Sequence, residues 1–327
     1  MDDRTAVFIR HRGVALRRDL LSGGYNPDDI RRCLRTGQLV RVRHGAYAQR
    51  MLWERLDEAG RHLLRARAVL ASLHEPATLS HVSAAIALGL PVWGVALEQV
   101  HVTRPLRSQS RHEGDVVHHN GKLPDDQLVE VDGLRVTRAD RTVVDLARLG
   151  GFEPGVVTAD AALHRGLVTP AALLTRANDL ADWPGSRVVG RVVAFADGRS
   201  ESVGESRTRV LFRVEGLPPP RLQVEIWQDG RLLGRGDLLD EESMTIVEFD
   251  GRMKYRLGES ADPRSLEDVL WAEKCREDDI RSLGYGFARV TWRDLDRPRR
   301  TASRLQATFA RGRASRGLWQ SGRGEPA

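Results

Sequence analysis

The sequence predicts an α+β protein built from several domains, and three observations lead to this prediction. The chain has 327 residues, more than one ordinary domain holds. Segments with helical periodicity alternate along it with segments that show strand alternation. Charge is uneven: residues 1–50 contain eleven Arg and five Asp, residues 297–327 contain eight Arg and one Glu, and the stretch between them is net acidic. We therefore expect domains at 1–50, 51–198 and 199–312, followed by a basic, disordered tail at 313–327.

The composition argues against several classes of protein. The hydrophobic fraction of 41% is enough for sizeable cores, yet no apolar run is long enough to span a membrane. The charged start of the chain lacks the apolar region of a signal peptide. Cys33 and Cys275 lie far apart, which disfavours both a disulfide framework and a thiolate zinc site. We expect a cytoplasmic protein with no membrane partner.

The first fifty residues predict three short helices and a small β-ribbon. Helices are expected at 4–12 and 15–24. A third helix, at 26–37, has Asn26 as its N-cap and Pro27 in its first position, and it ends at Gly37. Strand alternation follows over 39–48. Three helices and a ribbon are typical of a winged helix-turn-helix, whose third helix enters the DNA major groove.

The predicted partner of this domain is DNA. A basic head and a basic tail are the electrostatic pattern of a protein that binds a polyanion. The side chains expected to contact DNA are basic residues of the third helix and the wing, namely Arg31, Arg32, Arg35, Arg41, Arg43 and His44. A protein-docking module whose basic face is only solvated remains the alternative.

Residues 16–48, LRRDLLSGGYNPDDIRRCLRTGQLVRVRHGAYA, resemble the N-terminal domain of AbiEi-family antitoxins from type IV toxin–antitoxin systems. The stretch at about 75–195 resembles the segment that follows the winged helix in that family. The resemblance implies DNA binding, autoregulation, and a mixed α/β middle domain that could dock a cognate toxin or another protein.

The middle domain shows no chemical motif that stands out. His118 and His119 are neighbours on a predicted strand, so their side chains point to opposite faces and cannot easily share one ion. His81 lies in a helical context and is expected to be an isolated structural residue. We therefore expect a scaffold or docking role here, without a metal site.

The last domain places acidic residues on neighbouring strands. Residues 202–220 predict a helix that ends at Gly216 and then a proline-rich break. A strand, a turn at Asp229–Gly230 and a second strand that carries Asp237 follow. On the third strand, 244–250, alternation puts Glu248 and Asp250 on one face. A long helix that ends at Gly284 should follow. The next strand, at 287–295, should then pair in parallel with the strand at 244–250. The final predicted helix spans roughly 298–312.

Clustered carboxylates predict a site for a divalent cation. Crowding them raises both repulsion and desolvation cost, and a hard cation relieves both. Oxygen ligands without histidine favour Mg²⁺ or Mn²⁺ over zinc.

The arrangement of a strand hairpin with Asp, then Glu-x-Asp-Gly, then helix and strand, resembles the restriction-endonuclease-like PD-(D/E)xK fold, closest to its very-short-patch-repair-like group. The resemblance covers about residues 200–312 and implies a mixed central sheet and a metal-dependent DNA endonuclease. By position it implies Asp237 and Glu248 as metal-binding catalytic acids and Glu205 as the helix acid that completes the site. Asp250 stands where the family has lysine, and Gly236 where it has proline. Lys254 is the ammonium that could replace the missing lysine.

Two functions follow from these patterns. The first is a DNA-binding protein that carries a Mg²⁺- or Mn²⁺-dependent endonuclease domain, acting in defence, toxin–antitoxin biology or DNA processing. The alternative is a non-enzymatic AbiEi-type antitoxin and transcriptional autoregulator that keeps an inactive nuclease fold.

Overall fold

The computed structural model describes residues 3–10, 12–73, 75–104, 110–121, 123–251 and 263–321. The protein is a mixed α/β protein that divides into two compact units. The first consists of Met1–Ala162 and Gly166–Phe195, and the second of Leu163–Arg165 and Ala196–Ala327. The division after Phe195 falls close to the boundary predicted after residue 198, whereas the boundary predicted after residue 50 lies inside the first unit.

The first unit begins with three helices and a three-stranded antiparallel sheet of order β1-β3-β2. The elements are α1 (Asp3–Arg10), β1 (Val14–Leu16), α2 (Arg17–Ser22), α3 (Pro27–Arg35), β2 (Leu39–Arg43) and β3 (Ala46–Gln49). The predicted start of α3 is confirmed: Asn26 Oδ1 accepts a hydrogen bond from the backbone N–H of Asp29 at 2.8 Å, and Pro27 follows the cap. Ile30 and Cys33 point into the core of this region.

The rest of the first unit is built around a six-stranded mixed sheet of order β6-β7-β5-β4-β9-β8. Strands β5 and β7 pair in parallel, as do β4 and β9. The elements are α4 (Arg50–Arg55), α5 (Glu58–Ser72), β4 (Thr78–Leu79), α6 (His81–Ala87), β5 (Val100–Arg104), β6 (Arg111–Glu113), β7 (Val116–Asn120), β8 (Leu128–Val131), β9 (Leu134–Thr137), α7 (Ala139–Gly150), α8 (Phe152–His164), α9 (Pro170–Asp179) and α10 (Ser186–Phe195). Helices α5 and α6 share an apolar core with this sheet, which includes Val69, Ala84, Val102 and Val136.

The second unit is a four-stranded sheet of order β10-β11-β12-β13 with helices on both faces. The elements are α11 (Val203–Val214), β10 (Arg221–Gln228), β11 (Arg231–Asp240), β12 (Thr245–Asp250), α12 (Pro263–Ser282), β13 (Gly286–Thr291), α13 (Trp292–Leu295) and α14 (Pro298–Ser321). The predicted parallel pairing of the last strand with β12 is confirmed. Asp229 and Gly230 form the predicted turn, with φ of 49° and 78°. Helix α14 continues to Ser321, where the sequence predicts a disordered tail from 313.

The two faces of this sheet carry different helices. Val247 and Phe249 of β12 belong to a core shared with α11 and α14, whereas Ile246 packs with Ile280 of α12. Helix α11 approaches β12 closely at Gly204, where an added Cβ would lie 2.0 Å from Cε1 of Phe249. Only glycine fits at this position without displacing the ring.

The outer strands of this sheet are interrupted. Strand β10 has a register shift between Ile226 and Trp227, and Gln223 takes a left-handed backbone conformation with φ of 50°. At the other end of the sheet, Arg304 of α14 donates a hydrogen bond from Nη2 to the backbone carbonyl of Arg289 on β13, at 2.9 Å.

None of the described helices combines the length and the apolar character needed to cross a membrane.

Candidate functional site

Asp237 and Glu248 meet at neighbouring strands in the second unit. Strands β11 and β12 run antiparallel with Leu238 opposite Val247, so Asp237 and Glu248 are the next residues outward on each strand. The Oδ2 atom of Asp237 accepts a hydrogen bond from the backbone N–H of Phe249 at 2.9 Å. The antiparallel hairpin therefore brings together the two acids that the sequence predicts as ligands.

Glu248 lies in a partly desolvated position beside a guanidinium. Its Oε1 accepts a hydrogen bond from Arg276 Nη2 of α12 at 3.1 Å, and its side chain is 16% exposed. Burial raises the pKa of the Glu248 carboxyl, the contact with Arg276 opposes that rise, and the charge of Asp237 adds to it. A cation is favoured at this point because it offsets both burial and repulsion, and Arg276 supplies one.

Glu205 does not join the pair. Its Oε1 accepts from Ser202 Oγ at 2.7 Å, and its Oε2 accepts from the backbone N–H of Glu201 at 2.9 Å and from Gln223 Nε2 at 2.8 Å. These bonds close the N-terminus of α11, where Ser202 caps the helix. Helix α11 packs on the Val247 and Phe249 face, while Glu248 bonds to α12. The predicted role of Glu205 as a metal ligand is replaced here by capping.

Asp250 is the last residue of β12, opposite Thr291 of β13 in the parallel register. Within the described part of the chain, Asp237, Glu248, Asp250 and Glu205 supply no set of three carboxylates whose oxygens lie within 4.8 Å of one another. Lys254 lies outside the described residues.

The predicted DNA-contacting residues of α3 lie on its exposed side. Arg31, Arg32 and Arg35 are exposed, opposite the buried Ile30 and Cys33. Arg31 pairs with Asp28 and Arg32 with Asp29, one turn earlier on the same helix. These two ion pairs reduce the net positive charge of the first turns, so Arg35 at the end of α3 contributes a larger share of the positive charge on this face.

Arg43, which the sequence predicts to contact DNA from the wing, is paired within the protein. A register shift in β2 between Arg41 and Arg43 breaks the alternation that would place both on one face. Arg43 instead makes a two-pronged ion pair with Asp115, at 3.0 and 2.9 Å, and donates to Ser72 Oγ at 2.7 Å. Arg41 and His44 are exposed as expected. Arg43 therefore holds the ribbon to the six-stranded sheet.

Three histidines of the first unit form a cluster that the sequence reasoning missed. His81 at the start of α6, His101 on β5 and His119 on β7 offer nitrogen atoms that all lie within 4.8 Å of one another. His81 is therefore not isolated, contrary to the prediction. His118 does point away from the cluster, as alternation requires, and its Nε2 lies 3.6 Å from the carboxylate of Glu113. Strand alternation places His119 on the face opposite His118, but the sequence carries no signal that pairs β5 with β7 and so brings His101 to His119.

A cavity of about 340 Å³ opens beside this cluster. Its lining residues are His81, Thr103, Ser110, His119, Asn120, Arg141, Arg148, Asp182, Trp183 and Pro184. Of these lining residues, Arg141 donates a hydrogen bond from Nε to Asp145 Oδ2 at 2.8 Å, and both of these side chains are almost fully buried. The guanidinium groups of Arg141 and Arg148 also lie over the ring of Trp183, at 5.0 and 4.9 Å from its centroid.

Comparison with known proteins gives relatives without an assigned activity. No known family model matches the chain. The chain is 28% identical over 284 residues to an uncharacterized protein of Mycobacterium tuberculosis, MT2308 of strain CDC 1551 / Oshkosh, and equally to Rv2248 of strain H37Rv. Each alignment covers 85% of this chain and 93% of the relative. A crystal structure of the RV2827C protein from M. tuberculosis aligns with a TM-score of 0.38 and 16% identity, over 69% of this chain and 88% of that one.

Proposed function

We propose that this protein is a DNA-binding protein whose second unit is a metal-dependent phosphodiesterase that cleaves DNA. The observation that carries the proposal is the pairing of Asp237 with Glu248 at neighbouring strands, where burial raises the pKa of Glu248. The order helix, three antiparallel strands, helix and parallel strand supports a restriction-endonuclease-like PD-(D/E)xK fold. The three helices and ribbon at the start of the chain support a winged helix.

The residues present fit Mg²⁺ or Mn²⁺. Two adjacent carboxylates supply hard oxygen ligands, and a divalent cation offsets the desolvation of Glu248 more fully than the single charge of Arg276 does. Asp237 and Glu248 would hold the ion, with Asp250 at the same strand end as a further oxygen donor. The bound ion would lower the pKa of a coordinated water and polarise the scissile phosphate.

Arg276 has two roles in this proposal. Its guanidinium now bridges Glu248 and Glu273, with Nη2 at 3.1 and 2.7 Å from their carboxylate oxygens. A guanidinium matches the oxygens of a phosphate with the same forked geometry. If Glu248 held a metal ion, the Arg276 group that now contacts it would be available to bind a phosphate of the DNA. Lys254 is the proposed second cation, which would orient the water.

Glu248→Ala is expected to lower metal-dependent nicking of supercoiled plasmid by at least about 100-fold, because the metal loses one of its two central ligands and the water it activates. Purified wild type and variant are compared in Mg²⁺, Mn²⁺ and EDTA. Glu273→Ala is the matched control, since it removes the other carboxylate that contacts Arg276 and leaves the strand pair intact. Equal nicking by wild type and Glu248→Ala would assign the cleavage to a contaminant and refute the proposal.

Arg35→Ala combined with Arg41→Ala is expected to weaken DNA binding and to reduce the slope of log affinity against log salt by about 0.9 for each phosphate that the variant no longer neutralises. Fluorescence anisotropy with a labelled duplex measures both between about 50 and 200 mM salt, the range in which affinity falls steeply. The control pair Arg111→Ala with Arg135→Ala removes the same charge from side chains that are also about half exposed. If both pairs lower the affinity equally, α3 and the ribbon are not the DNA-binding face.

One observation favours a second candidate, a non-enzymatic regulator of the AbiEi antitoxin type that docks a toxin or another protein through its first unit. Arg276 already neutralises Glu248, and Glu205 is used as a helix cap, so the acids are satisfied without a metal. This candidate predicts sequence-selective DNA binding that persists at physiological salt, with no nicking by the wild type. The first candidate gives nicking that Glu248→Ala removes.

A further inference from the structure

The three histidines reach one point from three separate elements. Strands β5 and β7 pair in parallel, with His101 opposite Val117 and Thr103 opposite His119, so His101 and His119 point to the same face of the sheet. His81 follows β4, the next strand on the other side of β5, and begins α6. The fold therefore converges three imidazoles that are far apart in sequence.

The contacts among these rings are close. His101 Nδ1 lies 2.9 Å from His119 Nε2. The rings of His81 and His119 lie 3.7 Å apart between centroids and are nearly parallel. In a tetrahedral zinc site with Zn–N distances of about 2.0–2.1 Å, ligand nitrogens are separated by roughly 3.3 Å. The nitrogens of His101 and His119 would therefore separate by a few tenths of an ångström, and the stacked rings of His81 and His119 would turn so that each presents a nitrogen to the ion.

Burial disfavours the protonated form of all three imidazoles. Burial, and after it the neighbouring histidine, lowers the pKa of His101 and of His119 to about 3. Burial likewise lowers the pKa of His81 well below its ordinary value. A neutral imidazole keeps one N–H, so the proton between His101 Nδ1 and His119 Nε2 would have to move to another ring nitrogen or leave if both of these nitrogens bound one ion.

Outer contacts orient these rings. His81 Nδ1 lies 3.0 Å from Ser80 Oγ, which accepts a hydrogen bond from Thr103 Oγ1 at 2.7 Å. The backbone N–H of His101 donates to Ser83 Oγ at 2.8 Å, and Ser83 Oγ also contacts His62 Nε2 at 2.8 Å. The contact with Ser80 can hold the His81 ring in one tautomer and orientation, whereas the bond to Ser83 fixes the backbone of His101.

The backbone of His81 is held in a conformation that a non-glycine residue rarely takes. Its φ is 50°, in the left-handed region, at the first residue of α6. Such a conformation is strained and persists where the surroundings impose it, often at a ligand site. Here it directs the ring towards His101 and His119.

We propose that His81, His101 and His119 bind one transition-metal ion, Zn²⁺ being the best match, with a fourth coordination position open to the adjoining cavity. Three neutral imidazoles without a carboxylate suit zinc and exclude Mg²⁺ as the preferred ion. His81 and His119 line the cavity, together with Asn120 and Arg148. Three neutral ligands leave the charge of the ion uncompensated, and Arg148 favours an anion, so a hydroxide or a small oxyanion completes the site.

The test is a metal titration of the full-length chain after treatment with EDTA. Binding of one equivalent of Zn²⁺ is expected by calorimetry. Co²⁺ in its place is expected to give the visible absorption bands of tetrahedral nitrogen coordination. A wild type that binds no Zn²⁺ and gives no such Co²⁺ bands overturns the proposal, and this measurement needs no variant.

Substitutions at two neighbouring histidines test which side chains bind the ion. His119→Gln is expected to weaken Zn²⁺ binding by at least about 100-fold, since the effect of removing a direct ligand exceeds the roughly 10–100-fold effect typical of outer-contact changes. His118→Gln, at the neighbouring residue on the opposite face of β7, is expected to bind as the wild type does; circular dichroism verifies that both variants fold. Equal affinity for His119→Gln and wild type overturns the assignment. Glu248→Ala should keep its zinc, which separates this proposal from the nuclease.

Discussion

Asp145→Ala is expected to lower the free energy of unfolding of the first unit by about 3–5 kcal/mol, the range found when one partner of a buried ion pair is removed. Asp145 is fully buried, with Arg141 Nε at 2.8 Å and Arg148 Nη1 at 3.4 Å from its carboxylate oxygens. Burial raises the pKa of the Asp145 carboxyl, and the charge of Arg141 opposes that rise. Removing the carboxylate leaves Arg141, only 2% exposed, with Gln127 as its remaining side-chain acceptor.

Urea denaturation followed by circular dichroism measures this effect. Asp125→Ala is the control, because Asp125 pairs with Arg135 at 3.2 Å but its side chain is 98% exposed, and exposed pairs contribute little. The Asp125→Ala control should unfold at the same urea concentration as the wild type. A shift of equal size in the two variants would mean that the buried pair has no special weight in this core.

Phe249→Ala is expected to destabilise the second unit by about 3–5 kcal/mol, as large-to-small changes of buried aromatic residues do. The Phe249 ring is buried between α11 and α13, meets the ring of Trp292 edge-on with centroids 4.8 Å apart, and lies against Gly204. Because Phe249 stands between Glu248 and Asp250, the cavity also loosens the strand end that carries both acids. Plasmid nicking by the folded fraction should fall together with stability.

Gly204→Ala tests the same packing from the other side. Its new methyl group would overlap the Phe249 ring, and overpacking of this kind costs about 1–3 kcal/mol. In the double variant the methyl group enters space that the ring has left, so the combined destabilisation should be smaller than the sum of the two single effects. Strict additivity in urea denaturation would show that the two residues do not pack against each other.

Local signals in the sequence are enough to predict much of the fold. The cap at Asn26, the Asp229–Gly230 turn and the helix that ends before Gly284 are each encoded within a few residues. The parallel pairing of β12 with β13 is also predictable, because a strand–helix–strand order leaves few other arrangements. The adjacency of Asp237 and Glu248 follows from the same reasoning, since a hairpin fixes which residues face each other.

The remaining features depend on contacts between distant segments or on local irregularities. His101 meets His119 only because β5 pairs with β7, and His81 joins them because it follows β4, a strand of only two residues. Arg43 turns inward because of a bulge that alternation does not reveal. Glu205 is different: Ser202 and Glu205 have the spacing of a capping box, so a capping role is predictable from the sequence, although the nuclease resemblance favours a metal ligand.

The interrupted edges of the second unit's sheet bear on how this protein avoids self-association. An exposed, regular edge strand is a template on which another chain can add a strand, the first step towards aggregation. The shift at Ile226 and the left-handed Gln223 break the register that such an addition needs along β10. Arg304 donates a hydrogen bond to the backbone carbonyl of Arg289 on β13, so this carbonyl is less available to a strand added from another chain. Both edges of the sheet therefore offer an added strand a less regular set of backbone hydrogen-bonding groups.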